Sequence, residues 1–511
     1  MKWMPIAFLL ILVAGFSLRA PRLAERPLHH DEANQAYRFG MLLEDGTYEY
    51  DSNDHHGPTL YYLTLPIAWL TGVESFLDSN ETTYRYLPVV FGMLLILAIP
   101  LLRSGIGCIA VLATALFTAI SPGLAYYSRF YIQEILLVFF TLLTVAAGWL
   151  SVKSGSRTWA MVCGLAAGLM FATKETAIIA YAAMLGAGLL CALVARRVHL
   201  PIKNMILAAL CAFFISTVLF SSFLTNLDGP LQSILAYKGY FARGTGVETE
   251  HIHAWDFYLK MLVRYHFDGG PAWSEGLALG LGLVGCGFIV RNKLPANCDP
   301  GLARFLMFYT LLLTAAYSVI SYKTPWCILS FLHGWIILAG IGVASVLEWC
   351  KRTVTLRRAS IACQLTVLGL LAYPTYATYQ LAHRTVYRFA ADYRNPYVYA
   401  HTAPDFKNLV KRVGEIAAVS PKGKNIYIQV IAEPETTWPL PFYLREYPNI
   451  GYWVDAASVP RAPKPDLIIS GTGFEPDPGE FLSEYYGLRA DSLLAIHINS
   501  KLWNAFLETR K

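Results

Sequence analysis

The chain has 511 residues, of which 55% are hydrophobic and 15% are charged, whereas a soluble domain carries roughly 25% charged residues. The apolar residues form long blocks, which is typical of membrane helices and excludes a large soluble enzyme. The net charge of +6 does not indicate a nucleic-acid partner, because the basic residues cluster in short loops between apolar blocks.

The apolar blocks predict eleven membrane-spanning helices, since about 20 residues are needed to cross a bilayer. These spans lie near residues 4–18, 86–102, 106–120, 132–150, 158–172, 176–194, 205–222, 274–290, 303–321, 327–347 and 359–379. The run 58–72 is expected to lie in the membrane interface, because counting it as a crossing would invert all later loops. The first span also resembles a signal peptide, but we interpret it as an uncleaved anchor.

The distribution of Lys and Arg predicts a cytoplasmic N-terminus in an integral inner membrane protein. Nearly every short loop on that side is basic, with Arg103, Lys153, Lys203, Arg291 and Lys351 as examples. The predicted fold class is an α-helical polytopic membrane protein whose transmembrane domain, residues 1–384, carries outer loops 19–85 and 223–273. Residues 385–511 are more polar and contain short β-type runs at 425–432, 466–470 and 493–499 after a helical segment at 405–419. They predict a small extracytoplasmic α/β domain.

The first outer loop opens with the sequence HHDEANQAYRFG at 29–40, which brings Asp31 and Glu32 just past the first span. A partly buried carboxylate at the mouth of a helix bundle is suited to take a proton from an acceptor hydroxyl. The alternative is an acidic helix start, because Asp and Glu favour the first turn of a helix.

A second polar cluster in the same loop, YDSNDHHGPTLYYLTLP at 50–66, contains Asp54, His55 and His56. With His29, His30 and the more distant Glu134 it offers imidazole and carboxylate ligands for a divalent metal ion. The spacing matches no specific metal motif, so surface or hydrogen-bonding histidines are the alternative. A metal cofactor is left open.

Cations at the ends of later spans are candidates for binding a phosphate. Arg129 precedes Glu134 at the start of the fourth span, and Lys174 and Lys323 lie in short turns between spans. Arginine binds phosphate through two parallel hydrogen bonds, while Glu134 is suited to assist a metal or to orient Asp31. A mutual Arg129–Glu134 salt bridge and lysines that snorkel to the interface are the alternatives.

The sequence resembles the GT-C superfamily of membrane glycosyltransferases, which includes protein O-mannosyltransferases and lipid A aminoarabinose transferases. It is most similar to bacterial relatives of the archaeal flippase-activity-associated family. The likeness rests on HHDEA (29–33), DHHGPTLYY (54–62), SRFYIQE (128–134), ATKE (172–175) and YKTPW (322–326). It covers most of the membrane part, although Glu134 stands where some relatives carry Asp.

The resemblance implies an inverting transfer of a sugar from a polyprenyl-phosphate donor to an extracytoplasmic acceptor, which is a glycan, a lipid or a protein. Asp31 would be the general base and Glu32 would support it or contact the sugar. The leaving lipid phosphate would be bound by Arg129, Lys174, Lys323 and the adjacent Tyr322. One outer cavity is therefore expected to collect these side chains.

Two other classes of function are compatible with many spans and an outer domain. A lipid-linked sugar flippase or transporter is one, although transporters concentrate ionisable groups near the bilayer midplane and this chain gathers them at span ends. A non-catalytic envelope assembly protein that acts through its C-terminal domain is the other. Loss of activity on changing Asp31 would distinguish the enzyme from such an assembly protein.

Overall fold

The computed structural model describes residues 4–52, 56–195, 201–244, 251–460, 462–477 and 479–510. Two of the predicted site residues, Asp54 and His55, lie outside this part of the chain. The described part is mostly helical, with a five-stranded sheet towards its C-terminal end.

The region before residue 390 is built from helices. In chain order they are α1 (Met4–Arg19), α2 (His30–Asp45), α3 (Thr59–Thr71), α4 (Glu81–Ala98), α5 (Arg103–Ile106), α6 (Cys108–Ile120), α7 (Pro122–Tyr127), α8 (Glu134–Ser154), α9 (Arg157–Phe171), α10 (Ala177–Ala195), α11 (Ile202–Phe220), α12 (Gly229–Gly244), α13 (Phe257–Val263), α14 (Gly276–Val290), α15 (Pro300–Val319), α16 (Leu329–Thr353) and α17 (Arg357–His383). Short 3-10 segments, Ile99–Leu102 and Pro325–Ile328, join α4 to α5 and lead into α16. A turn of π-helix, Arg384–Arg388, extends α17.

Within the described residues, seven helical stretches are long and apolar enough to cross a membrane, and four shorter apolar helices, α1, α6, α9 and α14, accompany them. Each of the eleven predicted spans coincides with one of these helices. Helix α3 has 13 residues, the same number as α6, so its predicted interfacial position rests on the charges of the loops and not on its length. The predicted helical membrane fold is confirmed.

Helix α16 lies at the centre of the bundle, since 89% of its most apolar window is buried, whereas none of the corresponding window of α17 is. It packs backbone to backbone against α14. A Cβ atom added at Gly285 would lie 2.3 Å from the carbonyl oxygen of Leu338, and one added at Gly342 would lie 2.3 Å from that of Leu281. Small residues allow membrane helices to approach this closely.

The C-terminal region forms an α/β unit with its own apolar core. Its strands are β1 (Ile428–Ile431), β2 (Ile450–Trp453), β3 (Leu467–Gly471), β4 (Phe481–Arg489) and β5 (Ser492–Asn499), and its helices are α18 (Phe406–Val419), α19 (Pro434–Thr437), α20 (Leu440–Tyr443) and α21 (Ser500–Glu508). The strand order is β2-β1-β3-β5-β4, with β1 parallel to β2 and β3, and β5 antiparallel to β3 and β4. The predicted helix and three predicted strands are present, and β2 and β4 were not predicted.

The C-terminal unit packs against the first outer loop, residues 19–85. The ammonium group of Lys407 lies 2.9 Å from the carboxylate of Glu81, and the hydroxyl of Tyr443 donates to the same carboxylate at 2.9 Å. The backbone of Leu28 donates to the Tyr443 oxygen, and the hydroxyl of Thr402 donates to the Leu28 carbonyl at 2.7 Å. The first loop and the C-terminal unit therefore lie at the same end of the bundle.

Candidate active site

The start of α2 is fixed by His29, which caps the helix. Its Nδ1 accepts the backbone N–H of Asp31 at 3.0 Å, and its own backbone N–H donates to the carboxylate of Glu32 at 3.0 Å. This reciprocal pattern is a capping box. It brings both acidic residues into the first turn, as the acidic-helix-start alternative predicts. Because successive helical residues are rotated by about 100°, the two carboxylates point to different surroundings.

Glu32 is fully buried and its oxygens are occupied by protein donors. Arg85 donates to both oxygens, at 2.8 and 2.6 Å, and Arg26 donates at 3.1 Å. The backbone N–H of Tyr131 adds a contact at 3.0 Å. Burial alone would raise the pKa of Glu32, but the charges of Arg26 and Arg85 and these hydrogen bonds lower it to about 2. In this geometry Glu32 joins the first loop to α4 and to the residues before α8.

Asp31 behaves differently, because its side chain is 39% exposed and lines a cavity of about 1000 Å³. Several segments that are distant in sequence form its walls, which include His30, Asp31, His251, Tyr322, Tyr399 and Arg489. The loop 251–253 reaches this cavity by pairing with 321–323 through two backbone hydrogen bonds. The Asp31 cavity is thus closed on one side by the C-terminal unit and has the size of a small-molecule site.

The imidazoles near Asp31 hold the walls of the cavity together. The Nε2 atom of His29 lies 3.0 Å from the carbonyl oxygen of Tyr399, and the hydroxyl of Tyr399 bonds to Nδ1 of His251. Burial lowers the pKa of His29 and that of the neighbouring His401. Both rings are therefore neutral near pH 7, and they contribute hydrogen bonds rather than charge to the Asp31 cavity.

The HGPT and ATKE motifs meet where α3 begins. Nδ1 of His56 lies 2.7 Å from the carboxylate of Glu175, and the hydroxyl of Thr59 donates to the carbonyl of Ala172 at 3.2 Å. A Cβ atom added at Gly57 would lie 2.1 Å from the same carbonyl, so only glycine permits this close approach. In the part of the chain that the structure describes, no group of three or more His, Cys, Asp or Glu side chains is arranged to hold a metal ion.

The predicted phosphate-binding cations have separate partners. Lys174 and Glu134 form a buried ion pair, so the alternative Arg129–Glu134 salt bridge is wrong. Burial would lower the pKa of Lys174, but the charge of Glu134 raises it. Lys323 donates to the carbonyls of Ile320 and His253.

Arg129 donates to the carbonyls of Arg19, Pro21 and Arg22 and lines a different, smaller cavity. The Asp31 cavity is lined by Tyr322 but by none of the predicted cations Arg129, Lys174 and Lys323. Of the three cations, only Arg129 lines either of these two cavities. The predicted convergence of all three on one cavity is therefore not supported by them.

Arg85 was not among the predicted site residues. It lies in the second turn of α4, where Asn80 caps the helix by accepting the N–H groups of Thr82 and Thr83. An arginine just inside an apolar span is costly unless it is paired. Its position in the sequence is therefore a signal for a buried acidic partner, which the structure identifies as Glu32.

The fold and part of the sequence match known membrane glycosyltransferases. A family model described as dolichyl-phosphate-mannose-protein mannosyltransferase matches residues 63–221, whereas a comparison with curated protein sequences found no significant match. ArnT from Cupriavidus metallidurans, solved with undecaprenyl phosphate bound, aligns with a TM-score of 0.63 at 15% identity over 98% of this chain and 99% of that chain.

The oligosaccharyltransferase of Archaeoglobus fulgidus tethered with an acceptor peptide aligns with a TM-score of 0.60 at 13% identity, over 89% of this chain and 64% of that chain. The oligosaccharyltransferase AglB of the same organism, in complex with an inhibitory peptide and a dolichol-phosphate, aligns with a TM-score of 0.58 at 12% identity, over 99% and 77%. The chain therefore has the GT-C fold of these structures, and its residues 63–221 resemble the mannosyltransferase family.

Proposed function

We propose that this protein is a glycosyltransferase that moves a sugar from a polyprenyl-phosphate donor to an acceptor hydroxyl, with Asp31 as the general base. The observation that carries the proposal is that the two adjacent carboxylates have different surroundings. Asp31 lines a large cavity, whereas Glu32 is held by two arginines and two backbone N–H groups. Only one of the two carboxylates is thus free to meet a substrate.

In the proposed reaction a carboxylate oxygen of Asp31 accepts the proton of the acceptor hydroxyl. The acceptor oxygen then forms a bond to the anomeric carbon of the sugar, and the bond from that carbon to the phosphate oxygen breaks. The electron pair leaves with the polyprenyl phosphate, and the anomeric configuration is inverted. A base positioned in this way typically contributes about 100- to 10,000-fold to the rate.

The leaving phosphate needs donors that stabilise its negative charge. Tyr322 and Arg489 line the Asp31 cavity, and the backbone of Lys323 is part of the strand pair that forms one wall. We assign the donor phosphate to this wall. The bound undecaprenyl phosphate and dolichol-phosphate of the similar structures support a polyprenyl-phosphate carrier as the donor class.

The proposal also fixes the orientation in the membrane. The positive-inside rule assigns the basic connections from α4 to α6, from α8 to α9 and from α16 to α17 to the cytoplasm. The first loop and the C-terminal unit share the other end of the bundle through the contacts of Lys407 and Tyr443 with Glu81. The Asp31 cavity then opens outside the cytoplasm, where the acceptor is located.

The test compares Asp31→Asn with Asp45→Asn, an exposed carboxylate at the other end of the same helix. Each variant is reconstituted in proteoliposomes with synthetic undecaprenyl-phosphate sugars and cell-envelope extract, and release of undecaprenyl phosphate is measured. We expect release to fall about 100- to 10,000-fold in Asp31→Asn and to be unchanged in Asp45→Asn. Donor binding should be normal in both variants. Release at the wild-type rate by a folded Asp31→Asn protein would remove Asp31 from the mechanism.

A further inference from the structure

A second cavity, of about 220 Å³, lies beside the Asp31 cavity. We call it the arginine cavity because its walls include Arg22, Arg26, Arg85, Arg129 and Arg388, together with Glu25. It is formed by the segment after α1, the start of α4, the turn after α7 and the π-helical turn after α17. Arg388, Ala391 and Pro404 line both cavities.

The charges around the arginine cavity do not balance. Arg26 and Arg85 share the single carboxylate of Glu32, and Arg22 forms an exposed pair with Glu25. In the described part of the chain, no carboxylate lies within ion-pair distance of Arg129 or Arg388. Five arginines against two glutamates leave three positive charges uncompensated.

Burial makes this excess of charge costly. Arg129 is 9% exposed, and its guanidinium group donates to three carbonyl oxygens, which occupy three of its five N–H groups without neutralising its charge. Burial and the nearby charges of Arg26 and Arg85 lower the pKa of Arg129 to about 10. A buried cation is normally paired or bound to an anion, so the surroundings of Arg129 favour an anionic ligand.

The guanidinium groups are also held in fixed positions. The ring of Tyr387 lies beneath both Arg22 and Arg129, with cation-to-centroid distances of 5.6 and 5.1 Å. Tyr387 and Arg388 belong to the π-helical turn, and such turns occur frequently at functional sites. Arg26 is fixed by the hydroxyl of Tyr126 at 3.3 Å and by Glu32. A preorganised group of arginines suits oxyanions that accept two parallel hydrogen bonds.

We propose that the arginine cavity is a binding site for a phosphate-type oxyanion. The excess positive charge selects an anion, and the small volume admits a phosphate group but not a polyprenyl chain. The oxyanion is either carried on a lipid that enters from the Asp31 cavity or is free phosphate. The site does not require the transfer reaction, because none of its arginines contacts Asp31.

The experiment measures binding of inorganic phosphate and of undecaprenyl phosphate to the purified full-length protein in nanodiscs. Arg22→Gln is the main variant, because Arg22 lines the arginine cavity and not the Asp31 cavity, and Arg388→Gln, whose side chain lines both cavities, is the second. Both side chains are exposed and neither is part of a buried ion pair. The matched control is Arg384→Gln, which removes an exposed arginine from the same π-helical turn without changing the described walls of the cavity. Size-exclusion profiles and unfolding temperatures check that the variants fold.

Loss of one charge-assisted hydrogen-bond donor should weaken oxyanion binding about tenfold to a hundredfold. We expect this loss in Arg388→Gln and Arg22→Gln but not in Arg384→Gln. A loss for undecaprenyl phosphate alone assigns the oxyanion to the lipid, and a loss for inorganic phosphate alone assigns it to free phosphate. Wild-type affinity of both variants for both ligands, or an equal loss in Arg384→Gln, would overturn the proposal. Asp31→Asn should bind both ligands normally, which separates this site from the proposed catalytic base.

Discussion

Replacing Glu32 with glutamine should destabilise the protein, whereas replacing its neighbour Asp31 with asparagine should not. Glu32→Gln removes the carboxylate that two buried arginines share and turns an amide donor towards them. Breaking a buried ion pair by removing one partner costs about 3–5 kcal/mol. A pKa lowered from 4.5 to about 2 gives a similar value of about 3 kcal/mol. Asp31 is partly exposed and has no such partners, so Asp31→Asn should change stability by about 0.5 kcal/mol or less.

The assay is thermal unfolding in detergent, followed with a dye that fluoresces on reaction with thiols. The nine free cysteines lie in or beside the apolar helices, so they become reactive as the bundle opens. The pH dependence gives a second readout. Because the folded pKa of Glu32 lies below its ordinary value, its stabilisation is fully present above about pH 4.5 and is lost as the pH falls towards 2. The free energy of unfolding of Glu32→Gln should therefore lack the decrease that Glu32 contributes between about pH 4.5 and 2. Wild-type stability of Glu32→Gln at pH 7 would refute the structural role of the pair.

Two further predictions concern the buried pair and the topology. Lys174→Met should cost about 3–5 kcal/mol, because it leaves Glu134 buried without a cation, and the double variant Lys174→Met/Glu134→Leu should recover most of this loss in the same unfolding assay. A double variant no more stable than the single one would contradict this account. In a protein without native cysteines, a membrane-impermeant maleimide added outside should label Glu74→Cys and Lys501→Cys but not Arg358→Cys. Labelling of only one of the first two would contradict the shared position of the first loop and the C-terminal unit.

The membrane helices could be predicted from the sequence because a bilayer sets both their length and their composition. Loop charges separated α3 from the crossings, whereas helix length does not, because α3 and α6 both have 13 residues. The C-terminal sheet was harder to predict. Strands β1, β3 and β5 are buried apolar runs, whereas β4 has only one fully buried residue among nine and β2 has none among four. Edge strands of this kind carry a weak hydrophobic signal.

The candidate site could be predicted from the sequence only in part. The sequence indicated that Asp31 and Glu32 lie together after the first span, but adjacency in the chain says nothing about which carboxylate is buried. That depends on Arg85, which is 53 residues away and reaches Glu32 only because α4 packs beside the first loop. Likewise, Glu134 is close in sequence to Arg129 but pairs with Lys174. Ion pairs between distant segments are set by packing, and residue types alone did not reveal them.

The Glu32 ion pairs and the arginine cavity both reflect the cost of burying arginines without a compensating negative charge. Glu32 compensates Arg85 and Arg26 on the side that faces α4, and this leaves Arg129 and Arg388 to face the smaller cavity with no carboxylate of their own in the described chain. If the protein needed only structural compensation, further acidic residues at this position would remove the excess charge. The excess is therefore better explained by an anion that binds and leaves, and a site beside the Asp31 cavity is where a phosphate-carrying substrate or product would pass.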